Sequence, residues 1–439
     1  MTPVKAIACV VGLLMSFGVV TLGLALGKKA MSSSGWVETT KGRTDRKGPD
    51  EPLDWINRIH VQFSEQQRFG IVCPRLHDPK NPEKPKLLTR DERGITNNTC
   101  IRVEGYEYLF GQEIPGVRYV RDDGKIWKEL PVPGKDRGRA WQSVMEIEYG
   151  RIRIAQTVEI VVGQQTRLFD TAKVTYTITN RDKTPHTVGL RVMLDTLIGL
   201  NDGVPFYLPP TDHEPARFVD KLAVLGQKQI PEYLQALETG DLKDKDATVA
   251  ILCPNVGRSE PMEKLVLCRW PQNSEIRWGN DNGAWKFEPM DANPQAKDSC
   301  VVMYWAQTNM KPGEQRTMAF TYGLGMLGKD SEESTTSSGK MRLVVAPRAL
   351  EKKAFPVMAY VKSTDPGQRV TLKLPAGLAF APGQQAEKTV PAATTPEGYS
   401  QVTWKVIAQD AGTYPLAADA PNIGVAKANA NVREPSNFD

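Results

Sequence analysis

The chain has 439 residues, of which 40% are hydrophobic and 24% are charged, and its formal net charge is +5. This composition is that of a folded protein and excludes an intrinsically disordered chain. The length exceeds what one core usually organises, so we expect at least two domains. Acidic and basic residues are interleaved, and no basic stripe carries aromatic residues, so we expect no nucleic-acid binding.

The amino-terminal region contains an uncharged run at residues 6–27. As a helix this run spans about 33 Å, enough to cross a hydrocarbon core of about 30 Å. The apolar region of a secretory signal is usually about 7–15 residues long. The length therefore favours an uncleaved membrane anchor over a cleaved signal within residues 1–30.

The side of the membrane on which the body lies is predicted less directly. Lys28 and Lys29 follow the apolar run, and the positive-inside rule favours a cytoplasmic body. An amino-terminal segment before a large β-rich body is, by contrast, typical of export. We expect an exported body, in the periplasm or on the cell surface, joined to the anchor by a polar, flexible stalk at residues 31–52.

Residues 53–327 show short alternating segments separated by tight turns. In residues 152–160 the apolar period of two is almost unbroken, and residues 172–210 form a long predicted hairpin. We expect a large antiparallel β-sandwich. One exception is residues 231–237, where Pro231 at a first helical position and an apolar face predict a helical turn.

A second module follows residues 328–340, which are rich in Ser and Thr and are predicted to be a linker. Residues 341–432 contain short strands punctuated by Pro and Gly, a pattern typical of an immunoglobulin-like sandwich, with Trp404 as its core aromatic. Residues 433–439 are predicted to be a disordered tail. The predicted fold class is all-β, with two sandwiches after one amino-terminal transmembrane helix.

Three segments carry a family resemblance: GITNNTCIRVEGYEYLFG (94–111), VTYTITNRDKTPHTVGLRVMLDTLIGLNDGVPF (174–206) and CVVMYWAQTNMKPGEQRTMAFTYGLG (300–325). They resemble uncharacterised bacterial cell-envelope proteins typical of planctomycete-like genomes. The resemblance covers most of residues 55–430 and implies a membrane segment before a β-rich ectodomain. More loosely, the body resembles the galactose-mutarotase-like supersandwich. Mutarotases pair a His with a Glu in a sugar cleft, and no such pair can be placed here.

The tip of the long hairpin is the first candidate site. Asp195, Asn201 and Asp202 carry oxygen ligands beside Gly203, and Ca²⁺ binds about six to eight oxygens. The spacing is not that of an EF-hand. The alternative interpretation is structural: Asn201 and Asp202 shape a turn, and Asp195 caps a backbone amide. Calcium is the one cofactor that the sequence suggests.

The second candidate site is catalytic and consists of His186 or His213 with a carboxylate such as Asp195. A histidine beside a carboxylate can serve as a general acid or base on a sugar or an ester. The alternative is that these histidines are plain solvated loop residues.

The third candidate is a ligand-binding group of Trp278, Trp285, Asn280 and Asp281, which follows Trp270 and precedes Trp305. Exposed indoles beside amides and carboxylates can stack on sugar rings and hydrogen-bond to them. The alternative is a cluster of core tryptophans.

Motifs for a nucleophile elbow, a phosphate loop, a dinucleotide fingerprint or a zinc ribbon are absent from the sequence. The cysteines form no CxxC pair, which favours buried thiols over metal ligands or disulfides. We therefore expect a membrane-anchored cell-envelope protein with a non-catalytic binding or structural role and a glycan or protein partner. The alternative is a carbohydrate-active enzyme of mutarotase-like or lyase-like type.

Overall fold

A computed structural model describes residues 58–78, 80–111, 114–131, 139–219, 221–239, 247–271, 285, 298–326, 332–336, 338–362, 367–392 and 399–435. Within these ranges the chain forms strands and two short 3₁₀ turns, and no α-helix is present. The predicted anchor at residues 6–27 and stalk at residues 31–52 lie outside them. The described part of the chain contains no helix that could span a bilayer.

The body is built from nineteen strands of the described chain. They are β1 (His60–Phe63), β2 (Phe69–Asp78), β3 (Asn81–Leu87), β4 (Asn98–Val103), β5 (Tyr106–Leu109), β6 (Arg118–Val120), β7 (Lys128–Pro131), β8 (Arg139–Ile147), β9 (Ile152–Val162), β10 (Phe169–Asn180), β11 (His186–Thr196), β12 (Phe206–Leu208), β13 (Arg217–Val219), β14 (Ala223–Gly226), β15 (Leu234–Leu237), β16 (Val249–Cys253), β17 (Lys264–Cys268), β18 (Ser299–Met310) and β19 (Gln315–Leu324).

These strands form three antiparallel sheets. A ten-stranded sheet has the order β13-β12-β15-β16-β19-β10-β9-β8-β6, with β7 also paired to β8, and a six-stranded sheet has the order β14-β17-β18-β11-β4-β5. A smaller sheet has the order β1-β2-β3. Inward side chains of the two large sheets share one core, which contains Tyr176 of β10, Val192 of β11 and Trp305 of β18. The predicted antiparallel sandwich is confirmed. The hairpin predicted over residues 172–210 is wrong, because β10 pairs with β9 and β19 whereas β11 pairs with β4 and β18 in the other large sheet.

The six-stranded sheet is covered on its outer face as well. Nearly every residue of β11 is buried, whereas burial alternates along β10. The outward side chains Cys100, Met193 and Cys300 form a separate apolar cluster with Trp285 and Tyr304. All five cysteines that the structure describes are buried and free, as the sequence favoured.

The second module has ten strands: β20 (Glu332–Thr335), β21 (Met341–Val345), β22 (Ala349–Leu350), β23 (Ala354–Lys362), β24 (Arg369–Lys373), β25 (Leu378–Phe380), β26 (Glu387–Thr389), β27 (Tyr399–Ala408), β28 (Gly412–Ala420) and β29 (Gly424–Arg433). They form two five-stranded sheets, β20-β21-β23-β27-β25 and β22-β29-β28-β24-β26. Trp404 is fully buried between Val402 and Val406 on the same face of β27, as predicted. β20 lies within the segment that the sequence assigned to a linker.

The helical turn predicted at residues 231–237 is wrong. Leu234–Leu237 is strand β15, which pairs with β12 on one side and β16 on the other, and all four of its residues are buried. A short apolar run that is buried on both faces fits either a helix or a central strand, because its periodicity cannot distinguish them. Pairing with two neighbouring strands decides the outcome.

Candidate functional site

Three carboxyl groups meet at one end of the six-stranded sheet. Asp195 lies near the end of β11, Asp202 in the loop after β11, and Asp298 immediately before β18. One oxygen of each lies within 4.8 Å of an oxygen of the other two. The antiparallel register places Asp195 opposite Cys300, so the end of β11 meets the beginning of β18. We call these three residues the acidic cluster.

Two hydrogen bonds of its backbone fix the position of Asp195. Its N–H donates to Asn97 Oδ1 at 2.8 Å, and its carbonyl accepts from the Arg90 N–H at 3.0 Å. The residue is only 2% exposed, and its Oδ1 atom has no hydrogen-bond partner among the residues that the structure describes. A buried carboxylate oxygen without a partner is costly, so this atom is available to a ligand or a proton.

The Asp202 loop is fixed to the beginning of β18 through Ser299. The Ser299 hydroxyl donates to the Asp202 carbonyl at 3.0 Å and accepts from the Val204 N–H at 3.0 Å. Arg90 Nε lies 2.8 Å from Asp202 Oδ2, which leaves Oδ1 of Asp202 without a partner in the described part of the chain. The side chain of Asp202 is 25% exposed, so the cluster reaches solvent on this side.

The electrostatics of the acidic cluster favour protonated carboxyls. The pKa of Asp195 is raised to about 8, chiefly by burial; the charges of Asp298 and Asp202 also raise it, whereas the hydrogen bond to Thr96 and the charge of Arg90 lower it. Burial, with the Asp202 charge, raises the pKa of Asp298 to about 7. Burial also raises the pKa of Asp202. The cluster therefore carries protons near neutral pH unless a cation replaces them.

The structure brings together two of the three metal ligands suggested by the sequence. Asn201 instead shapes the turn: its Nδ2 donates to the Glu238 carbonyl at 2.9 Å, and its Oδ1 accepts from the Gly203 N–H at 3.0 Å. Asp298 takes its place in the cluster. No local motif marks Asp298, because it is separated from Asp202 by almost one hundred residues and meets it only through the pairing of β11 with β18.

The predicted histidine partners of Asp195 do not converge on it. His186 begins β11 and Asp195 lies nine residues later, which corresponds to about 30 Å along a strand. His213 is exposed on a turn, where its backbone N–H donates to Thr211 Oγ1 at 3.1 Å. The combination of His186 with Asp195 as an acid–base pair is therefore excluded by geometry.

The aromatic candidates are divided between described and undescribed residues. Trp278, Asn280 and Asp281 lie outside the described residues. Trp285 is 6% exposed and packs edge-on against Tyr304, with ring centroids 5.6 Å apart, so its faces are not open to a sugar.

Trp270 is the indole that the structure places beside the acidic cluster. It is half-buried, and its Nε1–H donates to the Thr96 carbonyl at 3.3 Å. Cys268 pairs with Cys300, and Trp270 and Asp298 each lie two residues beyond that pair, at the same end of the sheet. An indole therefore accompanies the carboxyl groups at the rim of the cluster.

No protein-family model matches this chain, and no curated protein matches it in sequence. A galactose mutarotase-like protein from Lactobacillus casei ATCC 334 is similar in structure, with 10% identity, a TM-score of 0.32, and coverage of 61% of this chain and 97% of that one. An aldose epimerase homologue from C. elegans has 7% identity and a TM-score of 0.31, covering 62% and 97%. A polysaccharide lyase has 13% identity and a TM-score of 0.26, covering 80% of this chain and 43% of the lyase. Similarity at this level assigns no activity.

Proposed function

We propose that this protein is a calcium-dependent carbohydrate-binding protein of the cell envelope and that the acidic cluster is its cation site. The observation that carries the proposal is the Asp195 carboxyl, which is almost fully buried and points an unpartnered oxygen at two further carboxyls. Placing a buried carboxyl beside two half-buried ones is unfavourable unless protons or a cation neutralise them. A hard oxygen donor set of this kind suits Ca²⁺.

The cluster leaves room for a ligand on the cation. Ca²⁺ binds about six to eight oxygens, and three carboxyl groups supply at most six when each is bidentate. Arg90 holds one oxygen of Asp202, which reduces that number. The remaining positions suit water or the adjacent hydroxyls of a sugar. Trp270 at the rim supplies an apolar surface on which a sugar ring can pack.

The envelope location in this proposal depends on residues 6–27. Their length and lack of charge suit a membrane anchor, and the polar stretch at residues 31–52 suits a spacer between bilayer and body. Membrane fractionation, followed by protease treatment of intact cells, tests both points. We expect the chain in the membrane fraction and the body cleaved from outside the cytoplasmic membrane; a fully protected body in the membrane fraction contradicts export.

Calorimetric titration of the full chain with Ca²⁺ tests the cation site directly. We expect one site that disappears in Asp195→Asn and Asp298→Asn and persists in Asp212→Asn, an exposed control residue outside the cluster. A glycan array with Ca²⁺ and with chelator then tests the ligand class. Absence of Ca²⁺ binding contradicts the cation site, whereas Ca²⁺ binding without any glycan binding contradicts the carbohydrate ligand alone.

A second candidate function is acid–base catalysis on a sugar. The raised pKa values of Asp195 and Asp298 favour it, because a carboxyl that is protonated near neutral pH can donate a proton. This catalytic proposal does not involve His186 or His213. Polarimetry of aldose mutarotation and absorbance of unsaturated lyase products, each in chelator, test it. Turnover that Asp195→Asn abolishes supports the enzyme over the binding protein.

A further inference from the structure

Two cysteine side chains face each other across neighbouring strands of the six-stranded sheet. Cys268 is the last residue of β17, and the antiparallel register pairs it directly with Cys300 of β18. Their Sγ atoms are 3.5 Å apart, and both residues are fully buried. Both side chains belong to the apolar cluster on the outer face of the sheet, so no charged group separates the two sulfur atoms.

The geometry of this strand pair suits a disulfide. Directly opposed residues of antiparallel strands have Cα atoms about 4.5–5.5 Å apart, and disulfides usually span Cα separations of about 4.4–6.8 Å. The two Sγ atoms must approach from 3.5 Å to a bond length of about 2.05 Å. Rotation of the two side chains about χ1 supplies this movement, so the bond requires no shift of either strand.

The other described cysteines do not have such a partner across their strands. The residues opposite them are of other types: Lys86 opposite Cys73, Arg191 and Leu109 opposite Cys100, and Thr321 opposite Cys253. The thiol of Cys253 donates instead to Gln164 Oε1 at 3.4 Å. Among the described residues, the strand register therefore favours one particular pair of cysteines.

We propose that Cys268 and Cys300 are a redox modification site and form a cross-strand disulfide when the chain folds in an oxidising compartment. The oxidant is a disulfide, RSSR, of the glutathione class. One cysteine thiolate attacks RSSR and releases RS⁻, which gives a mixed disulfide. The second thiolate attacks the cysteine sulfur of that mixed disulfide and releases another RS⁻. The cysteines lose two protons and two electrons, and RSSR becomes two RSH.

The end of β17 gives the oxidant a route to the pair. β14 is the edge strand beside β17, and its pairing with β17 ends at Leu267, one residue before Cys268. Trp270, two residues after Cys268, is only half-buried. This strand end can therefore open without disrupting the centre of the sheet. Because both thiols are buried when the sheet is closed, we expect slow oxidation of the folded chain and faster oxidation during refolding.

The bond should stabilise the body of the protein. Cys268 and Cys300 are 32 positions apart, and a cross-link over a loop of this length restricts the unfolded chain. We expect the unfolding temperature of the oxidised chain to be about 4–8 °C above that of the reduced chain. Neither thiol is part of the acidic cluster, so the bond does not depend on a bound cation.

Peptide mapping of the refolded full chain tests the proposal. The reduced, unfolded chain is refolded with reduced and oxidised glutathione, alkylated and digested with trypsin without reduction. We expect residues 265–269, which contain Cys268, to be linked to residues 298–316, which contain Cys300. Absence of this linked pair, or an equal yield of Cys268 linked to another cysteine, overturns the proposal. A linked pair without a higher unfolding temperature also overturns it, because such a bond does not fit the native sheet.

Cys100→Ala is the matched control for Cys268→Ala. Cys100 is equally buried and lies in the same apolar cluster, so both substitutions remove a similar contact. Cys268→Ala should abolish the difference in unfolding temperature between oxidised and reduced chains, whereas Cys100→Ala should keep both that difference and the linked peptides. If Cys268→Ala does not fold, the peptide map of the original chain still decides. Asp195→Asn should keep the linked peptides, so failure of the cation site is distinguishable from failure of this one.

Discussion

Asp195 of β11 lies opposite Cys300 of β18, and this pairing places Asp298, two residues before Cys300, beside the Asp195 carboxyl. Two carboxyl groups that are about one hundred residues apart in the chain therefore lie together in a partly buried position. The charge of Asp298 helps to raise the pKa of Asp195, and the charge of Asp202 helps to raise the pKa of both. A site of this kind lowers stability until a cation or protons neutralise it.

Asp195→Asn should stabilise the cation-free protein. At pH 9, above the pKa of Asp195, we expect the free energy of unfolding to rise by about 1–3 kcal/mol, because a neutral amide replaces a buried carboxylate. Urea unfolding in chelator measures the change. Asp212→Asn, at an exposed position, should alter the free energy of unfolding by less than about 0.5 kcal/mol. A loss of stability in Asp195→Asn contradicts the electrostatic account of the cluster.

The stability of the cation-free chain should fall as the pH rises. Asp195 and Asp298 have folded pKa values of about 8 and about 7, above the unfolded value of about 3.9. Their contribution is therefore fully present below about pH 4 and is lost as the pH rises through 7 and 8. Ca²⁺ competes with these protons, so its affinity should increase between about pH 6 and pH 9 with proton release. Calorimetry in buffers of different ionisation enthalpy detects the protons, and a pH-independent affinity contradicts the assignment.

Lys86→Met should destabilise the body by about 3–5 kcal/mol, because it leaves the Glu238 charge buried without its cation. Lys86 Nζ lies 2.7 Å from Glu238 Oε2, and the two side chains are 4% and 14% exposed. Glu238 also accepts from the Leu200 and Thr248 N–H groups, so displacement of the Glu238 side chain in Lys86→Met should loosen the Asp202 loop and weaken Ca²⁺ binding. Lys84→Met, at an exposed position nearby, is the matched control for urea unfolding. Equal stability of the two variants would show that the ion pair contributes little.

Tyr149→Gly should stabilise the protein by about 1 kcal/mol. Tyr149 adopts a φ of 58° in the turn between β8 and β9 and is 89% exposed, so glycine relieves backbone strain and removes almost no packing. Tyr106→Gly provides the contrast: Tyr106 is 66% exposed but lies in β5, where glycine weakens a strand. Thermal unfolding should move in opposite directions for the two variants. A lower unfolding temperature for Tyr149→Gly would contradict the strain argument.

Alternation of apolar and polar residues predicts most strands correctly. It fails where both faces of a strand are buried, because such a strand does not alternate. β9 and β10 alternate as their sequences predict, since one face of each is more deeply buried than the other. Apolar residues on both faces of β15 hide the period of two, so the sequence predicts a helical turn where the structure has a strand. Trp404 was identified as a core residue because its neighbours in β27 alternate.

The same contrast between local patterns and tertiary contacts holds for the single residues of the candidate sites. The sequence predicts Asp195, Asn201 and Asp202 as one ligand group because it places all three at the tip of a hairpin over residues 172–210, although β10 and β11 belong to different sheets. Asn201 is included for its side-chain oxygen. The turn uses that oxygen internally, and a distant aspartate joins the cluster in its place. His186, which the sequence pairs with Asp195, instead lies 2.8 Å from Asp182 Oδ2 at the other end of β11.

The sequence by itself determined that this body is made of antiparallel strands, because alternation and turn chemistry are properties of consecutive residues. Only the tertiary structure decided which strand ends meet. Register between β11, β4 and β18 depends on how two entire sheets bury their apolar faces, and that packing is not encoded in any short stretch. The acidic cluster of Asp195, Asp202 and Asp298 is a product of that register.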